Sequence, residues 1–150
     1  MKSYQKFQNF GIKTVIFEKN KLEDGGVLMS LLSLNPKLII LAGFLLKMPA
    51  EIISNFKNRI INIHPALLPS YGGKGMYGIN IHRRVVENNE LFSGLTIHYV
   101  NKDYDKGAII FQEKVELSKN ESAETLSKKI LKLEHVHYPS IIEKLLEDEK

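Results

Sequence analysis

The chain has 150 residues, 43% of them hydrophobic and 25% charged, a size and mix typical of one soluble globular domain. Its longest apolar run, residues 38–46, is far shorter than the roughly 20 residues of a membrane-spanning helix, and no secretory signal follows the start at residues 1–6. The absence of cysteine excludes disulfides, thiol nucleophiles and cysteine-based zinc sites. We therefore expect a cytoplasmic protein with no membrane association.

The charge balance argues against nucleic acid as a partner. Lysine and arginine total 21 against 17 acidic residues, which gives a formal charge of +4. A nucleic-acid footprint needs cations clustered on one face, whereas here Glu124, Glu134 and Glu143 lie among the lysines. A modest positive field instead favours anionic small molecules.

The predicted elements alternate between strands and helices. Residues 13–17 are β-branched and aromatic, which predicts a strand. Asp24 can cap a helix that ends near Asn35. Residues 38–42 are apolar on both faces, which is typical of a buried parallel strand. A helix over residues 49–56 and a strand over residues 59–63 follow.

The second half continues the alternation. Residues 68–75 are rich in turn formers and predict an irregular, mobile loop. A helix over residues 79–88 precedes strands over residues 95–100 and 108–115, which a turn at residues 103–107 separates. Ser122 can cap the last helix, and Pro139 should kink or restart it. One α/β domain accounts for this order.

Asn62 and His64 are the most informative polar pair. Alternating side chains at the end of a strand point to one face, where open α/β sheets bind ligands. Together they could donate hydrogen bonds to an oxyanion, and His64 could move a proton near neutral pH. From the spacing alone, a hydrogen-bonded strand-end histidine and a turn-forming asparagine are an equally open interpretation.

A later strand carries His98, and Asp105 follows on a turn. An aspartate beside His64 would favour the imidazolium, although Asp105 by itself also fits a simple turn residue before Gly107. No serine or cysteine is placed as an activated nucleophile, which argues against a hydrolase of that type. His135 and His137 lack metal-ligand spacing, and residues 72–75 lack the phosphate-loop pattern and favour a flexible lid.

Three segments, residues 41–44, 61–69 and 105–110, closely resemble the phosphoribosylglycinamide formyltransferase family of purine biosynthesis. Residues 133–139 are similar to that family's closing helix, and the resemblance extends from about Phe7 to Leu146. It implies a formyltransferase fold, an α/β architecture with an open, mostly parallel Rossmann-like sheet and helices on both faces.

The resemblance implies transfer of a formyl group from 10-formyltetrahydrofolate, as co-substrate, to the amine of 5-phosphoribosylglycinamide, with no metal. The substrate amine is then the nucleophile. Asn62 and protonated His64 would hold the tetrahedral oxyanion. Asp105 would raise the pKa of His64 and help to relay a proton to the folate nitrogen.

The resemblance also implies which residues surround the two substrates. Glu134 matches a position that contacts the ribonucleotide, and His98 matches a supporting residue near the reaction centre. The residues expected around the folate, together with Asn62, are Leu45, Leu46, Lys47, Met48, Val100, Asn101, Lys102, Asp103 and Tyr104.

One departure from the family concerns its start, a strand and a glycine-rich turn that bind the ribonucleotide phosphate. This sequence contains neither, so we expect residues 1–150 to form a single catalytic domain that lacks the first βαβ portion and the phosphate-binding segment. The strand at residues 38–41 would then present an unpaired edge, which predicts a homo-oligomer or a complementing chain.

Other activities fit the same motifs. A formyltetrahydrofolate hydrolase or a methionyl-tRNA formyltransferase would use the same asparagine, histidine and aspartate, although residues 67–75 favour the glycinamide enzyme and no tRNA-binding domain follows. A different class of protein, a catalytically silent folate-binding or assembly module, is the remaining alternative.

Overall fold

The computed structural model describes residues 9–148. The interpretation of residues 1–6 and the expected start of the family resemblance at Phe7 lie outside the described residues. The chain divides into two compact units, one up to Asn35 and one from Pro36. The prediction of a single catalytic domain without a phosphate-binding segment stays a prediction.

The first unit contains helices α1 (Lys19–Glu23) and α2 (Gly26–Leu34). The prediction that Asp24 is the cap of α2 is wrong, because the N-cap residue is Gly25, which has no side chain. Asp24 lies one residue earlier, and its Oδ1 accepts a hydrogen bond from the Gly26 N–H at 2.9 Å. Asn35 ends the helix in a left-handed conformation with φ of 43°.

The predicted strand over residues 13–17 is wrong, since these residues form neither helix nor strand. A strand needs a partner for its backbone N–H and C=O groups, and no described strand pairs with this segment. Val15 is 64% and Ile16 is 72% exposed. The β-branched residues favour a strand, but this preference alone does not form one without a pairing partner.

The second unit is an open four-stranded sheet with helices. Its elements in chain order are β1 (Ile39–Leu41), α3 (Ala50–Asn55), β2 (Ile60–His64), α4 (Ile79–Glu87), β3 (Phe92–Tyr99), β4 (Ile109–Glu116) and α5 (Ala123–Glu147). The predicted elements of this unit are confirmed with small shifts at their ends. Residues 65–78 form no helix or strand, as expected.

The strand order is β1-β2-β3-β4, which confirms the expected α/β class with an open sheet. The pairing is mixed: β1 and β2 are parallel, whereas β3 is antiparallel to both β2 and β4. In the described unit β1 is an edge strand, and Ile40 is 43% exposed, although the sequence predicts a strand buried on both faces.

The core lies where α4 and α5 pack on the sheet. Ile61 from β2, Ile97 from β3, Val85 from α4 and Leu126 from α5 are at most 1% exposed and belong to one apolar cluster. Ser122 caps α5 as predicted, because its hydroxyl accepts a hydrogen bond from the Thr125 N–H at 3.1 Å.

Two further features of α5 and the sheet bear on the site. The helix runs without interruption through Pro139, so it does not restart there. The hydroxyl of Tyr138 donates to the Leu41 carbonyl at 2.8 Å and ties α5 to the end of β1.

No described helix is long and apolar enough to cross a bilayer.

Candidate active site

Asn62 on β2 lies directly opposite His98 on β3. The His98 Nδ1 is 2.9 Å from the Tyr99 carbonyl oxygen, which can only accept, so Nδ1 carries the hydrogen. When Nε2 carries no hydrogen, it accepts a hydrogen bond from the Asn62 Nδ2–H at 3.3 Å. This contact orients the Asn62 amide and leaves its second N–H for a ligand.

His64 is at the end of β2 and is 4% exposed. Its Nε2 donates a hydrogen bond to the Tyr71 carbonyl oxygen at 2.7 Å. Its Nδ1 is 3.6 Å from Oδ1 of Asp105. The two ring nitrogens therefore have separate surroundings, a main-chain carbonyl on one side and a carboxylate on the other.

Asp105 is the centre of the charged cluster. Its Oδ1 is 3.6 Å from both His64 Nδ1 and His98 Nε2. Its Oδ2 accepts a hydrogen bond from the Gly73 N–H at 2.9 Å. The turn that carries Asp105 can approach β3 because Gly107 has no side chain: a Cβ there would lie 1.6 Å from the Tyr99 carbonyl oxygen.

Burial dominates the protonation of His64. It lowers the pKa of His64 by more than the Asp105 carboxylate and the Tyr71 carbonyl raise it, while His98 adds a smaller lowering effect. The contribution of Asp105 alone raises the pKa of His64, which is the direction that the sequence interpretation gave. The net pKa nevertheless lies below its ordinary value.

The pKa of Asp105 is lowered overall. Burial alone would raise this pKa, but the imidazole of His98, the Gly73 N–H and the charge of His64 together outweigh that effect. An acceptor-only carboxylate is therefore the favoured form of Asp105 near neutral pH.

Every residue that the sequence assigns to the site borders one cavity of about 670 Å³. From β2 and β3 come Asn62, His64 and His98. The other predicted residues on its wall are Leu45, Leu46, Lys47, Met48, Val100, Asn101, Lys102, Asp103, Tyr104, Asp105 and Glu134. Residues 73–78 of the irregular loop also line the cavity.

Glu134 reaches this cavity from α5 and is half-buried. Burial raises the pKa of its carboxyl, and the nearby His135 only partly opposes this. The carboxyl of Glu134 is thus harder to ionise than that of a surface glutamate.

The sequence interpretation gave no role to the residues that hold the loop after β2. Thr96 Oγ1 donates to the Ala66 carbonyl at 2.7 Å and accepts from the Leu68 N–H at 3.0 Å. Gln112 Nε2 donates to the Leu68 carbonyl at 2.9 Å. Each of these contacts, like that of Tyr71 with His64, has a main-chain atom as one partner. Because every residue type has these atoms, the sequence contains no pattern that would predict the contacts.

Among residues 9–148, no group of three or more histidine, aspartate or glutamate side chains could hold a metal ion. The cavity wall also contains no serine or cysteine. Its polar groups are hydrogen-bond donors and proton carriers, which suits the transfer of a group between two bound molecules.

The second unit thus combines an open α/β sheet with an asparagine, a histidine and an aspartate around one cavity. Residues 2–142 match the family model described as formyl transferase. The chain belongs to the formyl transferase family.

Individual relatives agree with this assignment. The chain is 41% identical over 144 residues to phosphoribosylglycinamide formyltransferase, chloroplastic, of Arabidopsis thaliana, covering 92% of this chain and 49% of that protein. The protein of the same name from Vigna unguiculata is 39% identical over 146 residues, which are 94% of this chain and 47% of that protein. The chain thus spans about half the length of these two relatives.

A solved structure extends the similarity to three dimensions. The crystal structure of phosphoribosylglycinamide formyltransferase from Anaplasma phagocytophilum superimposes with a TM-score of 0.86 at 32% identity. The match covers 97% of this chain and 69% of that one.

Proposed function

We propose that the chain binds 10-formyltetrahydrofolate and transfers its formyl group to the amine of 5-phosphoribosylglycinamide. The observation that carries the proposal is the convergence of Asn62, His64 and Asp105 on the cavity whose wall also contains every residue assigned to the folate. The names of the relatives from Arabidopsis thaliana and Vigna unguiculata support the choice of acceptor.

The cavity suits a folate in size and chemistry. Its volume of about 670 Å³ falls within the roughly 300–1,000 Å³ of small-molecule sites. Leu45, Leu46 and Met48 offer apolar contact for a flat ring. The segment over residues 100–104, which forms neither helix nor strand, adds polar side chains such as Asn101 and Asp103 to the same wall.

Two donors are placed to stabilise the formyl oxygen when the amine attacks. The second amide N–H of Asn62 and the Nδ1–H of protonated His64 would hold the negative charge that develops on this oxygen. Both donors come from β2, whose hydrogen bonds to β3 fix their positions. Removal of one such donor typically costs about 2.7–4 kcal/mol of transition-state stabilisation.

The transfer forms a bond from the amine nitrogen to the formyl carbon and breaks the bond from that carbon to the folate nitrogen. The amine loses one proton and the folate nitrogen gains one. As a carboxylate, Asp105 would stabilise the His64 imidazolium across the 3.6 Å between Oδ1 and Nδ1 while the tetrahedral intermediate forms. It would then take the amine proton and pass it to the folate nitrogen as the bond to the formyl carbon breaks.

Two more residues complete the proposed site. Glu134 would contact the ribonucleotide from α5. His98 would act through Asn62, whose amide it orients at 3.3 Å, and through Asp105. It would therefore position the reacting groups and not take part in proton transfer.

The proposed partners are these two small molecules, with neither nucleic acid nor a membrane. A homo-oligomer or a complementing chain and a cytoplasmic location are further proposals from the sequence. The two plant relatives carry the word chloroplastic in their names.

Separate titrations test the proposal. Calorimetry with a non-reactive folate analogue and with the ribonucleotide should each give saturable binding, and mixing the natural substrates should yield formylated product. Binding of the folate alone without turnover would support a silent folate-binding module. Release of formate without an acceptor would identify a hydrolase, and product formed only with methionyl-tRNA would identify a tRNA formyltransferase.

A further inference from the structure

Tyr71 has an unusual backbone conformation for a side chain of its size. Its φ is 57°, in the left-handed region that residues other than glycine rarely adopt. This conformation belongs to the segment whose Tyr71 carbonyl oxygen accepts the hydrogen bond from His64 Nε2 at 2.7 Å. A strained backbone that contacts a proposed catalytic side chain indicates a functional constraint.

The side chain of Tyr71 stabilises this left-handed backbone conformation through hydrogen bonds to residues after α4. Its hydroxyl donates to Glu90 Oε1 at 2.6 Å and accepts from Asn88 Nδ2 at 2.8 Å. Asn88 directly follows α4, an element of the core, and Glu90 lies two residues further along the chain. The ring thus ties the loop after β2 to the end of a packed helix.

The next two residues of the loop contact Asp105. The Gly73 N–H donates to Asp105 Oδ2 at 2.9 Å. A Cβ at Gly72 would lie 3.1 Å from Cβ of Asp105 and 2.6 Å from Cδ2 of Leu68. Residues 71–73 therefore hold both groups that flank His64, the carbonyl at Nε2 and the carboxylate at Nδ1.

The tautomer of His64 follows from this arrangement. A carbonyl oxygen only accepts, so the neutral ring keeps its hydrogen on Nε2 and presents the lone pair of Nδ1 towards Asp105. Proton uptake then occurs at Nδ1, the nitrogen that lies 3.6 Å from Oδ1 of Asp105. The other tautomer would lose the bond to Tyr71 and turn the lone pair of Nε2 towards the Tyr71 carbonyl oxygen.

We infer that Tyr71 is a positioning residue for His64: its anchored carbonyl fixes the ring tautomer and makes Nδ1 the nitrogen that exchanges the proton. The inference deepens the proposed function, because the significance of Nδ1 rests on formyl transfer at this site. The other titratable groups that act on His64 are Asp105 from its turn and His98 from β3, and His64 in turn acts on His82 from α4.

Nuclear magnetic resonance of the free chain tests the tautomer without reference to activity. Long-range ¹H–¹⁵N correlation spectra of protein labelled at histidine distinguish Nε2–H from Nδ1–H rings, and loss of one ring signal in His64→Gln assigns His64. We expect the Nε2–H pattern for neutral His64. An Nδ1–H pattern would overturn the inference.

Variants test the anchor. Tyr71→Phe keeps the ring but loses both phenol hydrogen bonds, so we expect a mixture of His64 tautomers, a lower His64 pKa and a fall in kcat/KM of at least about tenfold at pH 7. Asn88→Ala removes one of the two bonds and should give a smaller change in the same direction. It keeps the inference testable if Tyr71→Phe fails to fold.

Glu87→Gln is the matched control, because it removes an exposed carboxylate from the same helix end without a contact to Tyr71. It should preserve the His64 spectrum and the pH profile. If Tyr71→Phe folds and matches the wild type in tautomer and pH profile, Tyr71 does not position His64. If the wild type has the Nε2–H tautomer but no transfer activity, the proposed function fails and the tautomer assignment stands.

Discussion

Oδ1 of Asp105 lies 3.6 Å from Nδ1 of His64, too far for a direct hydrogen bond and close enough for a strong electrostatic interaction across a buried site. The carboxylate opposes the effect of burial, which lowers the pKa of His64. The fraction of His64 that is protonated at neutral pH therefore depends on Asp105.

Asp105→Asn removes this charge while it preserves the size of the side chain. We expect the pKa of His64 to fall further, because its imidazolium loses a stabilising carboxylate. The limb of the kcat/KM profile that requires protonated His64 should move to lower pH, and kcat/KM at pH 7 should fall by about 10²-fold or more. Steady-state kinetics over pH 5–9 measures both effects.

The control for this variant is Asp148→Asn, which removes an exposed carboxylate from the end of α5. It should leave the profile as in the wild type. A pH profile of Asp105→Asn with the height and shape of the wild type would contradict the assigned role of Asp105.

His82 gives a pH dependence to stability. It is 4% exposed with no hydrogen-bond partner for Nδ1, and burial, helped by the charge of His64, lowers its pKa from 6.5. Because the unfolded chain binds this proton more readily, the stabilisation is complete above about pH 6.5 and is lost as the pH falls through the lower folded pKa. The free energy of unfolding should therefore decrease on acidification, by up to about 1.4 kcal/mol per pH unit for one full proton.

Urea denaturation from pH 7.5 to 5 measures this slope. His82→Gln should reduce it, because glutamine does not titrate, even if the variant is less stable throughout. His135→Gln, which replaces an exposed histidine on α5, is the control and should keep the slope of the wild type. An equal slope in His82→Gln and the wild type would refute the prediction.

The ionised carboxylate of Glu121 stabilises the N-terminal end of α5, and this stabilisation depends on pH. Its carboxylate accepts hydrogen bonds from Lys129 Nζ, Thr125 Oγ1 and the Ser118 N–H. Burial acts to raise its pKa, but these contacts outweigh that effect and hold the pKa at about 2. The stabilisation is thus present above the unfolded pKa near 4.5 and is lost as the pH falls through about 2.

Glu121→Gln should therefore be less stable than the wild type at pH 6, and the difference should shrink towards pH 2. Thermal unfolding monitored by circular dichroism across this range checks it. Glu124→Gln, an exposed carboxylate in the first turn of α5, should show a much smaller difference at pH 6. A constant deficit of Glu121→Gln at every pH would contradict the charge-based account.

Gly107 allows the Asp105 turn to lie close to β3, because it has no side chain. Gly107→Ala would place a Cβ 1.6 Å from the Tyr99 carbonyl oxygen, so the backbone must move and unfolding should become easier by about 3 kcal/mol or more. At Gly43, where φ is 65° and no atom lies within 4 Å, alanine meets only backbone strain, about 1–2 kcal/mol. Chemical denaturation of both variants compares them, and equal losses would show that the close contact is relieved without cost.

The sequence predicted the order of elements in the second unit because periodicity reports which side chains are buried. It also placed Asn62 and His64 together, since their spacing on β2 is local. The pairing of Asn62 with His98 depends on strand register, which links residues far apart in the chain. The contact between His64 and Tyr71 uses a main-chain oxygen, which every residue type has.

Residues 13–17 are a case in which the sequence predicted a strand that the structure does not contain. Their composition favours a strand, but a strand forms only with a partner, and composition does not supply one. The lowered pKa of His64 likewise could not be predicted from composition, because it results from burial, which depends on the folded structure. Local sequence thus predicts which side chains share one face of a strand, whereas strand pairing and burial depend on distant parts of the chain.

The most direct measurement is the rate of formyl transfer from 10-formyltetrahydrofolate to 5-phosphoribosylglycinamide by the wild type and by His64→Ala and Asn62→Ala. We predict measurable transfer by the wild type and a loss of at least about 10²-fold in kcat for each variant, with binding of a folate analogue retained. No transfer above the uncatalysed rate in the wild type, or wild-type rates in both variants, would contradict the account.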